Sequence, residues 1–237
     1  MRHRVKRIGL IIPSSNRMVE AEMLRALPAG VSGHVARLRM TGPYAVPLER
    51  LGPEVTTAAG TLADARCDAI AFHCTANSTA EGAAGEALLL DALRAGAPGA
   101  AVTSTATAIR AALEALAARR IALVTPYSPS ATAHEAEFFR TAGYDVVTMV
   151  ARDLAGSDAY CAAEPATWEA ALQESRGTGI DAYVLSCANI SCFTIVDRAE
   201  AALGKPVVTS NQAVLWDTLR AAAAPRPPGL GKLMTLS

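Results

Sequence analysis

Lysine, aromatic side chains and any excess of one charge are all scarce in this sequence, and each shortage removes a class of function. Lys6, Lys205 and Lys232 are the only lysines, and none stands at a convincing site, which counts against a mechanism built on a Schiff-base lysine. Twenty-two basic residues meet twenty-two acidic ones, so no broad field attracts nucleic acid or an anionic membrane, and a small molecule is the expected partner. Gly-x-Gly-x-x-Gly, Gly-x-x-x-x-Gly-Lys-Ser/Thr and Gly-x-Ser-x-Gly are missing, which excludes the usual dinucleotide, phosphate-loop and serine-hydrolase sites. Long apolar runs are missing too. Nothing approaches the roughly 20 residues of a membrane span. The basic start followed by Ile8-Gly9-Leu10-Ile11-Ile12 stops at Pro13-Ser14-Ser15-Asn16, short of the roughly 7–15 apolar residues of a secretory signal. Five cysteines, an odd number without Cys-x-x-Cys, and four scattered histidines argue against a disulfide framework and a zinc site, and for a reducing cytoplasm.

What is present is an α/β pattern. Hydrophobic residues reach 51% with only 5% aromatic, as suits alanine-rich helices packed closely on a sheet. Short apolar runs bounded by turn residues predict buried strands at Arg7–Ile12, Val35–Met40, Ala69–His73, Ala101–Thr103, Ile121–Thr125, Asp145–Val150, Ala182–Ser186 and Val207–Thr209. Between them, helices are predicted over Glu54–Ala65, Ser78–Arg94, Thr105–Ala118, Pro129–Thr141, Pro165–Thr178, Ser191–Leu203 and Gln212–Ala222.

The chain also repeats itself. Arg7-Ile8-Gly9-Leu10-Ile11-Ile12-Pro13 is echoed by Arg120-Ile121-Ala122-Leu123-Val124-Thr125-Pro126, and Asp68 to Cys74 by Asp181 to Cys187, both at an offset of 113. A third pair, Ala101 to Ser104 against Val207 to Ser210, is offset by 106. The expected architecture is therefore α/β with two pseudo-symmetric lobes, each a mostly parallel sheet flanked by helices, with the active site in the cleft between them. Residues 1–104 form the first lobe, with 210–224 packing back onto it. Residues 105–209 form the second lobe, and 225–237 are a terminal tail expected to be a non-helical surface strap.

Both equivalent cysteines, Cys74 and Cys187, end a strand and precede short polar residues that suit a helix cap. Backbone N–H groups and the helix dipole favour an anion there, so both thiols are expected to ionise readily. Cys67, Cys161 and Cys192 lack that placement and are read as packing or loop residues. His73 precedes Cys74 in a strand and should point to the opposite face as a bystander.

At these residues the sequence resembles the aspartate/glutamate racemase superfamily, in its branch of maleate cis-trans isomerases and arylmalonate decarboxylases. The likeness is carried by the two cysteines, Pro13-Ser14-Ser15-Asn16, Val124-Thr125-Pro126-Tyr127, and Ser210-Asn211-Gln212-Ala213 followed by Trp216. It implies a cofactor-independent isomerase of a small carboxylate. Cys74 would be nucleophile or first base, and Cys187 the opposing acid/base. Asn16, Ser14, Thr75, Ala76, Asn77, Tyr127, Ala188 and Asn189 would bind substrate. Family likeness alone suggests a homo-oligomer. Decarboxylases of the branch keep only the second cysteine, so maleate isomerisation is favoured. The alternatives are a racemase or epimerase of an amino-acid-like substrate, including ectoine-derived compounds, an arylmalonate-type decarboxylase, or a non-catalytic small-ligand binder. Asp158 stands where the isomerases have a further asparagine; it would repel a second carboxylate unless protonated or turned away.

Overall fold

The computed structural model describes residues 4–40 and 45–236; residues 1–3, 41–44 and 237, which the expected first lobe and tail include, lie outside the described residues. β1 (Lys6–Pro13), β2 (Val31–Leu38), β3 (Ala69–Phe72) and β4 (Ala101–Ser104) form a parallel sheet in the order β2-β1-β3-β4. β5 (Arg120–Thr125), β6 (Asp145–Ala151), β7 (Ala182–Leu185) and β8 (Val207–Thr209) repeat the order as β6-β5-β7-β8. Register repeats as well. Ile8 pairs with Ala69 and Ile11 with Phe72, while Ile121 pairs with Ala182 and Val124 with Leu185. Asp68 accepts the backbone N–H of Arg7 at 2.9 Å, and Asp181 that of Arg120 at 2.8 Å. One aspartate thus closes the foot of the central strand pair in each half.

The third repeat corrects the sequence alignment by one residue. Phe72 pairs with Ser104 and Leu185 with Thr209, which makes Thr209, not Ser210, the counterpart of Ser104, at an offset of 105. Capping explains why. Ser104 accepts the N–H of Thr107 to start α4 (Thr105–Ala115), and Thr209 accepts that of Gln212 to start α9 (Ser210–Ala221), whose Gln212 completes a capping box.

Alternation along each strand sorts the apolar residues into three cores. Ile8, Leu10, Ile12, Ala69 and Ala71 from one sheet share a single cluster with Ile121, Leu123, Ala182 and Val184 from the other, filled in by Ile109 and Leu113 of α4 and Val214 and Leu215 of α9. Ile11, Ile70 and Phe72 face outward under α1 (Leu48–Asp64) and α3 (Gly82–Gly96). Ala122, Val124, Tyr183 and Leu185 do the same under α7 (Pro165–Glu174) and α8 (Val196–Leu203). No helix among the described residues is long and apolar enough to cross a membrane.

Element boundaries differ from expectation for local reasons. β2 begins at Val31 rather than Val35, because an edge strand buried only in part tolerates Ser32, Gly33 and His34. α1 begins at Leu48, ahead of Pro53, since burial of Leu48 and Leu51 outweighs the missing hydrogen bond. The helix expected over Ser78–Arg94 is two, α2 (Thr75–Thr79) and α3, divided at Gly82 with φ +66°. A 3-10 turn at Phe193–Ile195 precedes α8. A π-helical turn at Glu20–Leu24 and α6 (Gly156–Ala162) were not anticipated; α5 (Pro129–Thr141) matches its expected bounds. The tail is more than a surface strap. Leu233 and Met234 are buried in the shared core, and Gln212 and Trp216 donate to the carbonyls of Leu230 and Leu236.

α1 and α3 meet at Gly96, where a Cβ would stand 2.8 Å from that of Ala59 and also strike the carbonyl of Thr56. Gly96→Ala should therefore lower stability by about 1–3 kcal/mol through overpacking. Urea denaturation checks this, and an unchanged midpoint would contradict it.

Candidate active site

The carboxyl ends of β1, β3, β5 and β7 carry the residues singled out by sequence. Cys74 follows β3 in extended conformation and is the N-cap of α2. Its Sγ lies 3.7 Å from Asn77 Oδ1. Cys187 follows β7, is 4% exposed, and accepts the N–H of Asn189 at 3.3 Å. The Tyr127 hydroxyl hydrogen-bonds to the same sulfur. The two sulfurs are close enough that charge on Cys74 raises Cys187, and charge on either raises Tyr127. Alternation turns His73 and Ser186, the residues before the two cysteines, to the opposite sheet faces, as expected for His73.

The thiols do not ionise as readily as their helix-terminal position suggests. Burial pushes Cys74 up to about 11, against the opposing pull of the Asn77 and Ala76 N–H groups. Burial likewise pushes Cys187 up to about 12, against the Asn189 N–H and the Tyr127 hydroxyl. The reason is the balance of desolvation and dipole. A five-residue helix offers little dipole, and removing a sulfur anion from water costs more than two N–H groups return.

Several of the expected carboxylate holders have protein partners. Asn16 is 2% exposed; its Nδ2 donates to Ala188 O at 2.8 Å, and its Oδ1 accepts the N–H groups of Met18 and Val19. Asn189 Oδ1 accepts the N–H of Arg17 at 2.9 Å. These bonds join the loops after β1 and β7 across the two halves. Thr75 shares a hydrogen bond with Ser210 at 3.0 Å, Asn77 Nδ2 donates to Val46 O, and the Ser14 hydroxyl accepts the N–H of Met40. Ala76 contributes its backbone N–H beside Cys74. Asp158 is turned away, its side chain 94% exposed and paired with Arg17 at 2.6 Å.

Sequence reasoning passed over α6, whose Tyr160 packs edge-on against Tyr127 with centroids 5.8 Å apart and whose Cys161 reaches Asn189 Oδ1 at 3.1 Å. It also passed over two glutamates. Glu22 on the π-helical turn accepts the N–H groups of Cys192 and Phe193, the Ser191 hydroxyl and the Asn211 amide. Glu135 on α5 accepts the hydroxyl of Ser186. The offset of 113 relates them and was the signal available.

Comparison with known proteins agrees with this arrangement over nearly the whole chain. The arylmalonate decarboxylase family model matches residues 8–234. A maleate isomerase of Pseudomonas putida is 31% identical, over 97% of this chain and 97% of that protein. Among solved structures, a variant of the maleate isomerase Iso from Pseudomonas putida S16 with maleate superposes with a TM-score of 0.91 at 26% identity, covering 98% of each chain. A Nocardia farcinica maleate cis-trans isomerase mutant with a covalently bound succinylcysteine intermediate superposes with a TM-score of 0.85 at 27% identity, covering 97% of this chain and 98% of that one.

Proposed function

The chain belongs to the arylmalonate decarboxylase family, and from that membership we propose a cofactor-independent, maleate cis-trans isomerase-like enzyme in which Cys74 and Cys187 divide the chemistry. The observation that carries the reading is the pair itself: two cysteines at equivalent strand ends, electrostatically coupled, with one tyrosine bonded to the second sulfur. Of the two, Cys74 is the less strongly raised. It is the better nucleophile candidate, and Cys187 the better proton donor.

In this scheme the Cys74 thiolate adds to one alkene carbon of maleate. The π electrons move to the neighbouring carbon, where the adjacent carboxylate shares the charge, and the Cys187 thiol donates its proton there. The resulting succinyl adduct has a single carbon–carbon bond and rotates. Return of the proton to Cys187 and expulsion of the Cys74 thiolate then restore the double bond as fumarate. The covalent succinylcysteine of the Nocardia farcinica relative supports a thioether of this kind. Tyr127 holds the sulfur that carries the moving proton.

The test is proton NMR of maleate with the purified chain. The maleate alkene signal should decay as that of fumarate grows, without loss of carbon dioxide. Inert maleate alongside decarboxylation of an arylmalonate would overturn the assignment. Tyr127→Phe removes the donor to Cys187 and should lower kcat/KM by about 2.7–4 kcal/mol of barrier, or 10²–10³-fold. A decrease below tenfold would put the tyrosine outside the reaction.

A further inference from the structure

Glu135 takes no part in the scheme above, yet it lies directly behind Cys187. It is 2% exposed, its Oε1 accepts the hydroxyl of Ser186, the residue before Cys187, and its Oε2 has no hydrogen-bonding partner. Burying a carboxyl with an empty oxygen is costly enough to require a reason.

The repeat supplies one. Glu22 stands 113 positions earlier, on the element that follows β1 as α5 follows β5. Glu22 accepts the Asn211 amide at 3.1 Å, and Asn211 Oδ1 meets His73 Nε2 at 2.9 Å. His73 precedes Cys74 as Ser186 precedes Cys187. Each cysteine therefore has a glutamate behind its strand, coupled to the residue just before it. The two carboxyls are finished differently: Glu22 accepts two backbone N–H groups, a hydroxyl and an amide, and Glu135 accepts one hydroxyl.

We propose that Glu135 is a positioning residue for Cys187: its negative charge keeps Cys187 a protonated thiol, which makes that cysteine the proton donor and leaves the nucleophile's role to Cys74. This rests on the two-cysteine reading above. The ionisable groups coupled to Glu135 are Tyr127, from the loop between β5 and α5, and Cys187, after β7. α2, which packs on α5, presents Thr75, Ala76, Asn77, Ser78 and Thr79, none ionisable. β6 brings Asp145, paired with Arg120. On α5 itself, His134 meets Ala80 O, and Glu137 pairs with Arg140. Burial pushes Glu135 up to about 7, so it gains its charge near neutrality. That charge raises Cys187 and Tyr127, whereas Cys74 is set by burial and by the N–H groups of Asn77 and Ala76.

The experiment is alkylation of the full chain by iodoacetamide, with rates resolved for each cysteine by peptide mass spectrometry. At about pH 8.5, Glu135→Gln should accelerate Cys187 by at least about threefold, the net of roughly tenfold more thiolate per unit and a weaker nucleophile. Cys74 should keep its rate. At about pH 5.5, where Glu135 already carries its proton, the substitution should change neither rate. An unchanged Cys187 at the higher pH, or equal acceleration of both cysteines, overturns the proposal. If Glu135→Gln does not fold, Ser186→Ala replaces it. Removing the only donor disfavours the carboxylate, so Cys187 should again react faster, and no change overturns the proposal. Turnover does not enter these measurements. Failure of the isomerase reading shows separately, as absence of fumarate with the unsubstituted chain.

Discussion

Cys74→Ser should lower the rate of maleate conversion by about four orders of magnitude or more, while thermal stability and far-UV circular dichroism stay near those of the parent. The size of the loss follows from bond-making. A serine hydroxyl in the same place is far harder to ionise than a thiol, and its oxygen is a poor partner for a conjugated alkene. The mildness of the structural effect follows from the surroundings, since Cys74 Sγ has one long contact, 3.7 Å to Asn77. Retention of even a hundredth of the parent rate would remove Cys74 from the nucleophile's role. Loss of the folded state would show instead that the thiol fills a structural position.

Glu22→Ala should cost about 3 kcal/mol or more in urea denaturation and reduce activity with it, because this carboxylate ties the first half to the second at several points. It accepts the N–H of Cys192 at 2.7 Å and of Phe193 at 3.1 Å, where the second half begins the turn into α8, together with the Ser191 hydroxyl at 3.0 Å. Truncation leaves two N–H groups of that turn without an acceptor and frees Asn211 from one of its two anchors. Glu22→Gln should cost less, since one amide oxygen still accepts from the turn while the amide nitrogen faces the donor of Asn211. A loss below about 1 kcal/mol for the alanine variant would mean that water replaces the carboxylate without penalty.

Strand content was legible because both sheets are parallel and buried, so each strand reads as an uninterrupted apolar run. The duplication was legible because Asp68 and Asp181 close the same register at the same offset as the cysteines. The third match slipped by one residue because Ser104 has a serine at 210 as well as a cap equivalent at Thr209, and only register distinguishes them. The glutamate pair obeyed the same arithmetic but stayed hidden, since Glu22 sits in a π-helical turn and Glu135 in a 13-residue α-helix, with unlike neighbours. Thiol ionisation was misjudged because sequence shows which dipole precedes a sulfur but not how much water surrounds it. Asn16 was identified by its motif, but its bond to Ala188, 172 residues away, depends on how the halves dock.

The apolar cluster common to both sheets has a consequence for ancestry. A single half alone would present Ile8, Leu10 and Ile12, or Ile121 and Leu123, to solvent, a surface that invites a second copy related by a twofold axis. The packing between the halves thus describes the interface of a homodimer whose two chains each brought one cysteine and one glutamate to a common centre. Fusion of the genes then let the two glutamates diverge, which two identical subunits could not have done.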